Sequence, residues 1–167
     1  MTNQEKRIIE RCAQKARMGM SEWVLVQILP SKKEEFQRLL RALQRSLKKS
    51  YALAEIHDLF QTLSTIEFEQ MVADPPRVRL ELYWENYLAA MIEYAANQRE
   101  IDPPSWIKEI KPLDHPVFGT DLQSLRLYLL THTPLCFRNR NIFIGASVGG
   151  GYKQSDVKII GNHGSIS

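Results

Sequence analysis

Arg126 and His132 stand six residues apart in the stretch RLYLLTH, and the two side-chain types together suit phosphodiester chemistry. An imidazole can take or give a proton close to neutral pH. A guanidinium can hold a phosphate and the charge that develops on it. A second loaded stretch, PLCFRNRNIFIG, alternates Arg138 and Arg140 with Asn139 and Asn141 before the apolar run Ile142-Phe143-Ile144. If this segment is extended, Arg138 and Arg140 project to one side and the asparagines to the other. Such an edge suits another protein's strand or an acidic groove. The competing reading is a local hairpin whose arginines pair with the chain's own acidic helices. Interface energy concentrates in aromatic and arginine residues. The partner reading therefore takes Phe137 and Phe143 as anchors, with Arg138, Arg140 and Asn141 as polar contacts. A third set, Arg38, Arg41, Arg45 and Lys48, lines one side of an amphipathic segment and is the candidate for phosphate contacts on a nucleic acid.

Other chemistries lack their residues. GASVGGGYK does not end as a P-loop does, and no HExxH or GxSxG motif occurs. The histidines at 57, 115, 132 and 163 are scattered and make no metal-ligand spacing. Cys12 and Cys136 form no CxxC pair and read as reduced thiols. No cofactor or metal is expected, and the motifs lean away from an enzyme.

The elements that must position these residues read as mainly α. Thr2-x-x-Glu5 is a capping box for a first helix. SEWVLVQIL, from Ser21, is an apolar run of ambiguous type. Ser31, with Glu34 three residues on, begins a helix carrying Phe36, Leu39, Leu40, Leu43 and Leu47 at helical spacing. A helix over 51–71 follows the rhythm of Leu53, Ile56, Leu59, Phe60, Leu63 and Ile66, and Pro75-Pro76 breaks the chain after it. Residues 78–97 form a long buried helix, in which Trp84 and Tyr87 serve as core. Pro103-Pro104 forbids helix, and residues 105–110 allow one turn. Thr120 or Asp121 caps a last helix over 122–131, expected to bury Leu122, Leu125, Leu129 and Leu130. The expectation is one helical domain over 1–147 with a short extended segment near its end. A Gly-rich, irregular and flexible tail covers 148–167.

Composition is that of a soluble globular chain: 44% hydrophobic and 25% charged over 167 residues, with a net charge of +3. No apolar run approaches the ~18 residues that a membrane span requires, and the charged N-terminus does not resemble a signal peptide. A cytoplasmic protein is expected. Charge is uneven, with residues 31–50 net +5 and residues 51–110 net −7. The two stretches are either solvated helix faces or complementary surfaces.

Two resemblances give these readings names. Arg126-x5-His132 is similar to the loose R-x(4–6)-H signature of HEPN ribonucleases, which implies an RNA-cleaving toxin. Residues 78–147 are similar to the C-terminal module of bacterial antitoxin-like, helix-turn-helix regulator proteins encoded beside nucleotidyltransferase-like genes. Their shared pattern is matched here by Pro104, Trp106, Pro116, Phe118, Leu125, Arg126, Pro134, Phe137, Arg138, Arg140, Asn141, Ile142, Phe143 and Ile144. The resemblance implies an antitoxin-like protein-binding module that pairs with a nucleotidyltransferase-like protein. The chain departs from the regulator form in residues 1–77, which show no helix-turn-helix, and in the Gly-rich tail. The expected function is therefore partner binding. The alternatives are an RNA-cleaving toxin using Arg126 and His132, and a nucleic-acid-binding regulator using Arg38, Arg41, Arg45 and Lys48.

Overall fold

Capping chemistry sets where the helices begin. In α1, Asn3–Lys15, the Thr2 hydroxyl accepts from the Glu5 amide at 3.3 Å, and the Glu5 carboxylate accepts from the Thr2 amide at 2.6 Å. This is the expected capping box. In α2, Lys32–Arg45, Ser31 accepts from the Glu34 amide at 3.2 Å. The reciprocal half does not form, because the Glu34 carboxylate turns to Arg77 at 2.9 Å. These are features of a computed structural model, which describes residues 2–17, 19–21 and 31–145. The apolar run over 22–29 and the tail over 148–167 lie outside the described residues.

The helix expected over 51–71 is two helices, α3, Lys49–Thr62, and α4, Thr65–Val72. Ser64 breaks it. Its hydroxyl accepts from the Glu67 amide, and the Glu67 carboxylate accepts from the Ser64 amide at 2.9 Å and the Ser64 hydroxyl at 2.7 Å. Those bonds from Ser64 hold the Glu67 carboxyl below its usual range. The turn lets α2, α3 and α4 close on one another. Phe60 sits between Phe36, at 5.9 Å between ring centroids, and Phe68, at 5.2 Å and edge-on.

The connector after α4 runs back along α2. The buried Gln37 accepts from the Arg77 amide at 3.0 Å, and Gln44 donates to the Arg79 carbonyl at 3.0 Å. This extended strap delays α5, Leu82–Gln98, by four residues from the expected start at 78. Trp84, Tyr87, Leu88, Met91, Ile92 and Ala95 are buried as expected, and so are Ala89, Ala90 and Ala96. Helix α5 is therefore enclosed on more than one side. At its end Arg99 donates to the carbonyls of Phe60 and Leu63, and its guanidinium lies 4.6 Å over the Phe68 ring. One side chain thus satisfies the open end of α3 and pins it to α5.

Residues Ser105–Glu109 form a short 3-10 turn, and Trp106 donates from its indole to the Val72 carbonyl at 2.9 Å. Then come β1, Val117–Phe118, α6, Gln123–His132, the one-turn helix α7, Leu135–Arg138, and β2, Ile142–Phe143. The stretch around Val117, expected to be irregular, pairs in parallel with β2 through Val117↔Ile142 and Phe118↔Phe143. The Val117 amide donates to the Asn141 carbonyl and the Gly119 amide to the Phe143 carbonyl, both at 2.8 Å. The chain is mainly α, with its core among α2, α3, α4 and α5 and a small α6–α7–sheet layer against the last of these.

Candidate functional site

The residues expected to meet a partner lie mostly inside the protein. Pro134 starts α7, so residues 135–138 are helical and the extended alternation of Arg138 and Arg140 does not occur. Phe137 is completely buried, edge-on to Tyr87 at 5.3 Å between centroids. Phe143 is buried and stacks on Phe118 at 4.9 Å. Asn141 takes the left-handed conformation at φ 59°, which asparagine tolerates better than most residues, and donates to the Leu113 carbonyl at 2.6 Å. Its side chain closes a loop of this chain.

Arg140 is the sharpest correction. It is only 6% exposed and enters the body of the protein through three contacts. It donates to the Asn86 side-chain oxygen and to the Ile107 carbonyl, both at 3.2 Å, and it lies 3.6 Å from the Glu93 carboxylate. Pairing with an acidic helix of the same chain was the competing reading, and for Arg140 the geometry is that one. Burial pulls its guanidinium pKa down, and the Glu93 charge opposes the fall. Arg138 remains at the surface, half-buried, donating to the Leu130 carbonyl at 3.2 Å in the last turn of α6.

Cys136 lies beside this network. Burial, then the charge of Glu93, pushes its thiol from about 9.0 up to about 11. Native Cys136 is therefore expected to resist a thiol reagent at pH 8 and to react once the chain is unfolded, since the thiolate is the nucleophile. Cys12 is half-buried and free. A count of two fast-reacting thiols in the native protein would contradict this burial. The native state holds the Cys136 proton more tightly than the unfolded chain. Its contribution to stability is therefore full below pH 9 and is lost as the pH rises through 11.

Arg126 and His132 both lie on α6, but they do not share a face. Six residues carry a helix about 9 Å along its axis and about 240° around it. Arg126 lies over the Phe118 ring at 5.1 Å. The His132 ring stacks on Tyr128 at 3.8 Å, and its Nδ1 is 2.9 Å from the Tyr128 carbonyl and 2.8 Å from the Thr131 hydroxyl. The carbonyl only accepts, so a hydrogen bond to it requires a proton on Nδ1. Arg38, Arg41 and Arg45 are exposed on α2, within an arc of about 60° by helical geometry. No acid among the described residues pairs with them. Lys48 is exposed 5.7 Å from the Tyr51 ring centroid.

Among the described residues no three histidine, cysteine or carboxylate side chains gather as metal ligands, and no helix is long and apolar enough to cross a membrane. A cleft of about 290 Å³ lies between α4 and the loop over 101–105, lined by Phe68, Glu69, Val72 and Asp102 among others. It holds none of the residues expected to do chemistry. No family model, curated protein or solved structure matches this chain.

What sets this region apart is a helix that the other described residues leave uncovered. Of the four leucines expected to be buried on α6 and its N-cap, only Leu129 is. Leu122 is 61% exposed, Leu125 44% and Leu130 40%, and they are joined by Leu127 at 75%, Tyr128 at 51% and Leu135 at 62%. Leu129 and Thr133 hold the helix to the sheet, the Thr133 hydroxyl donating to the Ile144 carbonyl at 2.8 Å and accepting from its amide at 3.1 Å. Leu127 stands about 200° around the helix from Leu129. The signal was present in the sequence: Leu125, Leu127, Leu129 and Leu130 span about 200° of a ten-residue helix, more than one supporting face can bury.

Proposed function

We propose that this chain is a protein-binding module, the antitoxin-like member of a pair with a nucleotidyltransferase-like protein. The observation that carries the reading is α6, which presents Leu125, Leu127, Tyr128 and Leu130 to solvent and buries only Leu129. Large exposed apolar side chains gathered on one element mark interaction sites in soluble proteins. The likeness of residues 78–147 to modules encoded beside nucleotidyltransferase-like genes supports the choice of partner. The contact surface moves from the buried Phe137, Arg140 and Phe143 to α6, with Arg138 at its edge.

Co-expression with the nucleotidyltransferase-like protein encoded beside it is expected to give a complex that survives size-exclusion chromatography. It is also expected to relieve growth arrest caused by that protein alone. The reading is lost if no such gene neighbours this one, or if the two proteins elute apart. Growth arrest caused by this chain alone, and abolished by His132→Ala, would point instead to the RNA-cleaving alternative.

A further inference from the structure

The charges around α6 say what kind of surface covers it. From Leu122 to Gly145 the chain contains no aspartate or glutamate. The cations of α6 and α7 are Arg126 and Arg138, with His132 beside them. Neither guanidinium pairs with a carboxylate among the described residues. Arg126 makes its contact with the Phe118 ring, and Arg138 makes one bond to the Leu130 carbonyl. Arg140 is excluded from the set, since it is spent on Asn86, Ile107 and Glu93.

We infer that α6 packs against an amphipathic helix of another protein, one whose apolar face carries aspartate or glutamate at its flanks. This rests on the partner-binding reading and specifies its chemistry. Leu127 and Tyr128 face away from the buried Leu129, with Leu125 and Leu130 at the margins, and a ridge of this kind seats in the groove of a second helix. Carboxylates at the flanks of that helix reach the guanidinia in the partly desolvated rim, where charge-assisted pairing is strong and directional. A second copy of this chain meets the requirement poorly. A two-fold contact through α6 sets Arg126 and Arg138 against their own copies, with no acid between Leu122 and Gly145 to pair them, and a head-to-tail contact needs a second, complementary surface elsewhere on the chain. A lipid surface fits less well too, because interfacial helices place a strongly charged face opposite the apolar one and α6 turns leucine both ways.

The test uses two synthetic helical peptides with the same leucine face, one flanked by glutamate and one by lysine, titrated into the full chain by fluorescence anisotropy. The glutamate peptide is expected to bind at least about tenfold tighter in low salt, with the gap closing as salt screens the charges. Leu127→Glu is expected to abolish binding while moving the melting temperature by no more than about 2 °C, as for an exposed position. Arg126→Gln is expected to lower affinity for the glutamate peptide alone. Equal affinity for the two peptides, or binding indifferent to Leu127→Glu, overturns the inference. So does a large loss of melting temperature in Leu127→Glu, which would show α6 covered by its own chain. Concentration-dependent dimerisation abolished by Leu127→Glu assigns the face to a second copy. Sedimentation with phosphatidylglycerol vesicles that is abolished by the same change, without peptide binding, assigns it to lipid. If the peptides discriminate but no complex forms with the nucleotidyltransferase-like protein, the choice of partner fails and this inference stands. If that complex forms and ignores Leu127→Glu, the reverse holds.

Discussion

Replacing Arg140 with alanine is expected to lower the melting temperature by about 6–12 °C. The guanidinium is the shared donor for the Asn86 side-chain oxygen, the Ile107 carbonyl and the Glu93 carboxylate. Its removal strands all three. Breaking a buried ion pair from one side costs about 3–5 kcal/mol, because the remaining charge is left unpaired. Water can recover part of that here, since the Glu93 side chain is 26% exposed, which leaves about 3 kcal/mol. At about 2–4 °C per kcal/mol for a chain of this size, the stated shift follows. Adding Glu93→Gln to Arg140→Met is expected to restore part of the loss, the non-additivity that marks a direct pair. Arg138→Ala, which gives up one bond at the surface, is expected to cost no more than about 1 kcal/mol. Thermal melts of the variants decide the matter. An Arg140→Ala protein that melts like the parent would mean the residue is free for a partner after all.

The two arginines look equivalent in the sequence, and the reason they differ is conformational. Their alternation with asparagines invites an extended reading, in which they share a side. Pro134 instead starts a helical turn that carries residues 135–138, and Asn141 at φ 59° then swings the chain into β2. Neither event shows in a period-two pattern. Only the fold reveals that Asn86 and Glu93, on α5, face the point where Arg140 arrives.

Local chemistry was legible where it acted alone. Thr2 with Glu5, Ser31, and the break at Pro75-Pro76 all act within a few residues, and they set element ends as expected. Ser64 with Glu67 carries the same kind of signal, yet Leu59, Phe60, Leu63 and Ile66 run a helical rhythm across it. The rhythm does not hold past the break, where Ile66 is 68% exposed and Phe68 and Met71 are buried, and the capping box wins because it supplies partners to amides that the turn leaves open. Strand β1 could not be read locally. Two residues make a strand only because β2, 25 positions away by the Val117↔Ile142 register, supplies their hydrogen bonds. Of the candidate site, the chemistry-bearing residue types were legible and their exposure was not. The rule that leucines at helical spacing face inward assumes that the rest of the chain covers them. Around α6 the supporting layer is a two-stranded sheet, wide enough to bury Leu129 and little else.

Phe137 tests the same distinction from the apolar side. It is 0% exposed and packs edge-on against Tyr87 of α5, and α7 touches both α5 and β2. Phe137→Ala is expected to cost about 3–5 kcal/mol, the loss of apolar contact plus the cavity left behind. That corresponds to roughly 6–20 °C in melting temperature for a chain of this length. Phe137→Leu fills most of the space and is expected to cost markedly less. The consequence for binding is indirect. Helix α7 is the short piece that returns the chain from α6 to β2, and Arg138 at its end holds the Leu130 carbonyl of α6. Loosening Phe137 is therefore expected to weaken partner binding in proportion to the loss of fold, with Phe137→Leu recovering both together. Denaturant titration and partner affinity measured on the two variants separate the possibilities. A Phe137→Ala chain that unfolds at the parent's midpoint while losing the partner would make Phe137 an anchor inserted into another protein. It would also show the edge-on contact with Tyr87 to be dispensable for holding α7 on α5.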